Sequence, residues 1–179
     1  MSPAPTSLTE VVRTHLELST RAALSPARRP ESTVQLDREP GITPADYLRV
    51  YTEVGGQFHW TDRLRWSASE LDAYLGSPWV QVWVLRAGGE TAGFFELHQH
   101  GEGHVEIMYF GLVPAFVGRG LGGWLLTRAV EESFALGAAR VILNTCTLDA
   151  PQALPNYLAR GFRIVREERY TVELPAAQD

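Results

Sequence analysis

The sequence predicts a single α/β or α+β domain built on a mixed β-sheet. Three observations carry that expectation. From residue 79 onward, period-two and helix-period segments follow one another as β-β-β-loop-α-β-α-β, an order that feeds one sheet with helices packed against it. The chain is 179 residues long, and a domain of that size buries roughly 70% of its unfolded surface without a disulfide or metal staple. Hydrophobic residues make up 45% and charged residues 21% of it, ordinary globular values that argue against disorder or a fibrous repeat. Residues 1–42 read as a strand-and-loop elaboration of the domain, and residues 43–179 as its body.

Each element has a local cause. Thr14, Leu16 and Leu18 alternate with His15 and Glu17, the period of a strand, although an amphipathic helix from Leu8 also fits. Pro26 and Pro30 interrupt the next stretch, and a short strand fits 34–36. Thr43-Pro44-Ala45-Asp46 starts a helix with a capping hydroxyl, Pro at the first helical position and an acid in the first turn. Tyr47, Leu48, Tyr51 and Val54 share one face of it, and Gly55-Gly56 ends it. Ser67-Ala68-Ser69-Glu70 is a capping box opening a second helix through Leu75. Strands at 79–86 and 91–98 flank the turn Ala87-Gly88-Gly89-Glu90, and a third runs over 104–112. A glycine-rich loop then opens a helix with Trp124, Leu125, Ala129, Val130 and Phe134 inward, stopping at Gly137. A strand at 140–147, a short helix at 151–160 and one or two strands over 162–174 complete the order.

Composition excludes several function classes. A net charge of -5 argues against a nucleic-acid binder that relies on bulk phosphate attraction. All 16 basic residues are Arg, so Lys Schiff bases, pyridoxal-phosphate chemistry and Walker-type phosphate loops are excluded. The single cysteine, Cys146, forms no internal disulfide and no cysteine-rich zinc site. His98, His100 and His104 lack a ligand spacing, so no metal is expected. No apolar run approaches the roughly 20 residues of a membrane span, and Met1-Ser2-Pro3-Ala4-Pro5 lacks the basic and apolar regions of a secretory signal. The expected compartment is the cytoplasm, with no membrane partner.

Gly118-Arg119-Gly120-Leu121-Gly122-Gly123 joins a strand to a helix, where free backbone N–H groups and the helix dipole favour an anion. Glycines suit such a loop because a Cβ would hold a phosphate away from the backbone. The same spacing satisfies a dinucleotide-binding G-x-G-x-x-G, but Ile142-Leu143-Asn144 about 20 residues on supplies no acid for a ribose. A ligand-free turn is the third alternative.

Three segments across Glu106 to Phe162 resemble the GNAT superfamily of acyl-CoA-dependent N-acyltransferases. Leu112-Val113-Pro114 resembles the family's hydrophobic-x-Pro approach to its pyrophosphate loop. Val117-Gly118-Arg119-Gly120-Leu121-Gly122 resembles its Gln/Arg-x-x-Gly-x-Gly/Ala loop, with Val117 departing from the usual polar residue and Arg119 offering charge instead. Ala153, Tyr157 and Gly161-Phe162 match its Ala-x-x-x-Tyr-x-x-x-Gly-Phe helix and strand entry. The resemblance implies a mostly antiparallel, twisted sheet whose central parallel strands splay apart. It also implies acetyl-CoA as co-substrate, its pantetheine arm lying as an extra strand along Phe110, Gly111, Leu112 and Val113, opposite 144–147. The pyrophosphate would then lie on residues Val117 to Gly123 (Val117, Gly118, Arg119, Gly120, Leu121, Gly122 and Gly123).

Transfer of an acetyl group to an amine needs one proton taken and one given. Tyr157 matches the family's general acid, and a phenol of pKa about 10 is protonated at neutral pH. A packed aromatic is its alternative role. Asn156 is a candidate cofactor anchor or a solvent-facing residue. Glu106 is the candidate base, four strand residues or roughly 13 Å from Phe110, and would act through water. Its alternative is a strand carboxylate paired with Arg. Cys146 reads as packing rather than as a nucleophile. Phe58, Trp60 and Asp62 could wall an acceptor site for a cationic amine, with core packing the default for the aromatics. A backbone N–H at Phe110 or Leu112 would serve as an oxyanion donor. The expectation is direct acetyl transfer, in a ternary complex, to a primary amine on a small molecule or protein, with room for a homodimer. A catalytically idle acyl-CoA-binding domain and a dinucleotide-binding protein are the alternatives.

Overall fold

The computed structural model describes residues 6–175; residues 1–5, the segment tested for a secretory signal, lie outside the described residues. Its elements are β1 (Thr6–Leu18), β2 (Val34–Arg38), α1 (Pro44–Gly55), α2 (Ala68–Leu75), β3 (Val80–Ala87), β4 (Glu90–His100) and β5 (His104–Leu112). Then come α3 (Leu121–Ala135), β6 (Arg140–Cys146), α4 (Ala153–Ala159) and β7 (Arg163–Pro175). The seven strands form one mixed sheet in the order β2-β3-β4-β5-β6-β1-β7. Every pairing is antiparallel except β5 with β6. The predicted mixed sheet with flanking helices is therefore the observed architecture.

Local signals account for the helix starts. Thr43 accepts a hydrogen bond from the Asp46 N–H at the head of α1, with Pro44 in the first turn. Ser67 and Glu70 exchange both bonds of the capping box that opens α2. The alternating residues at the chain start form a strand, not the helix that Leu8 would open. β1 buries Val11, Thr14, Leu16 and Leu18 and pairs with β6 on one side and β7 on the other. The first strand is thus an interior strand, wedged between the last two.

The sheet has a core on each face. One holds Leu85, Phe95, Leu97, Ile107, Leu125, Val130, Leu143 and Phe162, beneath α3 and α4. The other holds Tyr47, Val50, Tyr51, Leu71, Val82 and Phe94, beneath α1 and α2. Trp124 and Phe134, expected inward on α3, are only partly buried, while Leu121 and Leu126 complete its inner face.

Between β1 and β2 the chain must cross the sheet, and it does so over α3 and α4. Ser25 N–H donates to the Arg160 carbonyl at 2.9 Å, and Ala27 N–H to Thr127 Oγ1 at 2.9 Å. The crossing presses on Gly161, which has φ +103 and whose Cβ, if present, would lie 2.1 Å from the Ala23 carbonyl oxygen. Gly161→Ala should therefore cost on the order of 3 kcal/mol, combining left-handed strain with a backbone clash. At roughly 2–4 °C per kcal/mol for a domain of this size, melting should fall by about 6–12 °C. A variant melting within 1–2 °C (about 0.5 kcal/mol) of wild type would show that the crossing yields freely.

The parallel pairing of β5 with β6 is short. It covers only His104 with Arg140, Val105 with Val141 and Glu106 with Ile142. Opposite Glu96 and Leu97, the register of β5 slips from Tyr109 to Ile107, leaving Met108 as the extra residue of a bulge. A bulge bends its strand and raises its twist, so β5 diverges from β6 beyond that point. The facing edges of 107–112 and 143–146 leave a wedge in the middle of the sheet.

Candidate active site

The wedge opens into a cleft of about 920 Å³ whose lining runs from the glycine loop, across both strands, to the connection between α1 and α2. Val113 N–H donates to Ala92 O on β4 at 2.9 Å. Because successive strand N–H groups point to opposite edges, those of Leu112 and Phe110 face the wedge rather than β4. They are donors without a strand partner, where an extended ligand can pair.

The glycine loop bounds one end. Gly120 caps α3 in the left-handed conformation with φ 75, and Gly118 has φ 80. Neither would have any atom within 4 Å of an added Cβ, so the backbone there faces open space. Gly122 and Gly123 line the cleft, as do Val117 and Gly118. Leu121 is different: its side chain is buried in the core, so only its backbone is on offer. Arg119 stacks its guanidinium over Phe116 at 4.9 Å, and neither it nor Gly120 lines the cleft. A second arginine, also outside the cleft lining, lies against the first turn of α3. Arg160 Nη1 lies 2.5 Å from where a Gly123 Cβ would be, and its buried Nε has no hydrogen-bond partner.

Of the predicted strand residues, Phe110, Gly111 and Leu112 line the cleft, whereas Val113 packs between the two cores. Gly111 approaches α1 so closely that a Cβ would lie 2.5 Å from Val54 Cγ1. Asn156 lines the cleft and donates its Nδ2–H to Gly122 O at 3.4 Å, tying α4 to the first turn of α3.

Tyr157 projects from α4 into the cleft with its ring against Phe110 and Phe162, at centroid distances of 6.1 and 6.2 Å. Burial pushes its phenol up from the ordinary value, and the nearby Asp149 carboxylate adds to the shift. It is thereby held protonated at neutral pH.

Glu106 does not line the cleft. Its carboxylate faces His100 Nε2 at 2.9 Å, near the end of β5 where β5 and β6 are still paired. Its partner is thus a histidine, not the Arg of the alternative reading. His98, His100 and His104 form a stacked row with centroids 4.5 and 4.8 Å apart. Burial, then the charge of His100, lowers the His98 pKa. Among the described residues no three of His, Cys, Asp and Glu converge as a metal would require.

The far wall contains Phe58, Trp60 and Asp62, all lining the cleft. Trp60 lies flat on Gly55, where a Cβ would sit 2.0 Å from its ring, and packs against Tyr51 and Tyr109 at 5.5 and 5.0 Å. Beneath this wall is an ion pair. Arg63 Nη2 donates to Glu96 Oε1 at 2.8 Å, with Arg63 5% and Glu96 0% exposed. Tyr74 donates to the same oxygen at 2.5 Å, and Tyr47 donates to Oε2. Cys146 is half-buried and lines the cleft, so it is less enclosed than a packing residue in a strand would be.

Two cleft residues escape a reading along the chain. Arg13 reaches it from β1, and Asp149 from the loop between β6 and α4. Asp149 had a local signal, a carboxylate just past a strand end, where such side chains cap free backbone N–H groups. Arg13 had none, because only the pairing of β1 brings it near.

Residues 46–162 match the family model described as the acetyltransferase (GNAT) family. A mycothiol acetyltransferase of Corynebacterium efficiens is 31% identical over 119 residues, covering 64% of this chain and 39% of that protein. One from Corynebacterium aurimucosum is 29% identical, covering 76% of this chain and 48% of that protein. The chain thus spans less than half the length of these curated relatives. The solved GCN5-related N-acetyltransferase from Sphaerobacter thermophilus superposes with a TM-score of 0.66 at 16% identity, covering 94% of this chain and 53% of that one. That from Kribbella flavida gives a TM-score of 0.63 at 15% identity, covering 95% and 61%.

Proposed function

Since this chain belongs to the GNAT acetyltransferase family, we propose that it is a cytoplasmic N-acetyltransferase moving an acetyl group from acetyl-CoA to a primary amine within one ternary complex. The observation that carries the reading is convergence. An open glycine cradle, unpaired N–H groups of β5 and a buried phenol all meet in one cleft. Acetyl-CoA would supply the acetyl thioester.

The residues present fit that co-substrate. Gly118 and Gly120 leave their backbone uncovered, and the first-turn N–H groups of α3 are intrinsically without helix partners. Arg160, with its orphaned Nε, supplies positive charge that Val117 does not. Phe110 and Leu112 would pair an extended arm through backbone donors, which tolerates apolar side chains on the strand. One of those N–H groups would stabilise the developing oxyanion. Tyr157 would give its proton to the departing sulfur. Phe58, Trp60 and Asp62 would receive the amine from the opposite wall.

Incubation with acetyl-CoA and a panel of primary amines, with thiol release as the readout, tests the reading. The name of the curated relatives makes the deacetylated form of mycothiol a member of that panel. Release with no amine in the panel, despite tight acetyl-CoA binding, would leave a binding domain in place of an enzyme. Gly120→Glu tests the cradle separately. It places a carboxylate where phosphates would lie and a side chain at φ +75. Acetyl-CoA affinity by calorimetry should fall at least tenfold while the circular dichroism remains that of a folded chain. Unchanged affinity would remove the loop from the binding site.

A further inference from the structure

We propose that the Asp149 carboxylate receives the acceptor as an ammonium ion and takes the proton that its nitrogen must lose. The inference rests on the acetyltransfer reading and assigns its acceptor class, a cationic primary amine. Four observations carry it.

Asp149 lines the cleft in company with Tyr157, Phe110 and Trp60. It therefore shares one cleft with the proposed acid, the unpaired β5 edge and the acceptor wall. Its orientation is fixed in advance: Oδ2 accepts from the Thr145 hydroxyl at 2.6 Å and from the Cys146 N–H at 2.9 Å. Its other oxygen is less committed. Oδ1 has only the Trp60 indole N–H, at 3.4 Å, and so keeps capacity for a stronger donor. An ammonium N–H is such a donor, and a charge-assisted bond is roughly twice as strong as a neutral one.

Two other carboxylates line the cleft: Glu173, which accepts from the Thr6 hydroxyl, and Asp62 on the acceptor wall, which no donor among the described residues fixes and which is the control in the test. Glu96 is consumed by Arg63 and two phenols in the core, and Glu106 faces His100. Asp149, by contrast, holds neutral donors only. An arriving ammonium would therefore meet an uncompensated charge in a partly dry cleft, where attraction is stronger than in bulk water. In the step itself, one N–H bond of the ammonium breaks and an O–H bond forms on Oδ1. Both charges are neutralised, and the nitrogen keeps the lone pair needed for attack. The second proton, lost after attack, would return to the Tyr157 oxygen that protonated the sulfur.

Trp60 reports on this contact directly, because its indole N–H points at Oδ1. The probe is 2-phenylethylamine, whose ring suits the wall of Phe58 and Trp60, with 2-phenylethanol as its neutral counterpart. In ¹H–¹⁵N spectra of the full chain, with the Trp60 indole peak assigned through Trp60→Phe, the amine should move that peak further than the alcohol, whose ring alone reaches it. In Asp149→Asn the amine should lose at least tenfold in affinity and the alcohol should bind unchanged. The same variant should lose at least tenfold in kcat/KM for whichever amine the wild type acetylates, with acetyl-CoA affinity retained.

A Trp60 peak equally responsive to amine and alcohol would overturn the assignment. So would Asp149→Asn with wild-type kcat/KM, or an equivalent loss in Asp62→Asn or Glu106→Gln but not in Asp149→Asn. A wild-type chain that binds acetyl-CoA and acetylates no amine overturns the acetyltransfer reading instead, and the base with it. If Asp149→Asn melts well below wild type, Thr145→Val decides between roles. It removes one of the two donors to Oδ2 but keeps the charge, so a purely structural carboxylate predicts losses in both variants and an ammonium site predicts selective loss in Asp149→Asn.

Discussion

Tyr157→Phe is expected to lower kcat by about 10²–10⁴ while leaving acetyl-CoA affinity within about twofold. The substitution deletes one oxygen and keeps the ring, so the contacts with Phe110 and Phe162 persist and melting should barely move. The loss belongs in kcat because the proton matters only as charge builds on the departing sulfur. Burial and the Asp149 charge both favour the neutral phenol, so the acid form is complete across neutral pH and is lost only well above the ordinary value of about 10. The deficit should shrink with an acetyl thioester of a more acidic thiol, whose thiolate needs no proton. Undiminished kcat would sink the acid assignment, and equal deficits with both donors would make the hydroxyl a positioning group.

Arg63→Met is expected to destabilise the fold by about 3–5 kcal/mol, the cost of leaving a buried charge without its partner. Glu96 is fully buried, and without Arg63 it would keep only the phenols of Tyr47 and Tyr74. The guanidinium also lies over Trp66, Tyr74 and Tyr109 at 4.3, 4.4 and 5.2 Å, so packing is lost with the charge. Urea titrations measure the loss. Adding Glu96→Gln to Arg63→Met removes the unpaired charge and should recover part of the stability, and no recovery would mean that the loss is packing alone.

What sequence made legible here was local. The Ser67–Glu70 box, the Thr43 cap, the turn at Gly88-Gly89 and the strand at 104–112 each depend on residues within a few positions of one another. All four occur where the sequence signals them. The glycine loop and Tyr157 were legible for a related reason, since their spacing along the chain is their motif. Pairings across the chain were not. Alternation in β1 announces a strand but not its neighbours, because any strand with one apolar face satisfies the same pattern. The burial of Arg63 depends on Glu96, 33 residues away. Distance along β5 singles out Glu106, and that measure is blind to His100 folding back beside it. Asp149 gains its place from Trp60, 89 residues away, and nothing nearby in sequence shows that the two will face each other.

The position of β1 has a consequence for how the protein is made. Val12 meets Thr147 across 135 residues, and Arg13 meets Glu168 across 155. A ribosome adding about 5–20 residues per second completes that interval in roughly 7–30 s. During that time β1 has neither of its neighbours, and β6 and β7 cannot close the sheet without it. Contacts of such long range are slow to form. Until they do, an apolar-edged β1 is free to join the β6 and β7 of another nascent chain as readily as its own. Crowded expression should therefore favour strand-exchanged pairs, and slower, cooler synthesis should favour the closed single chain.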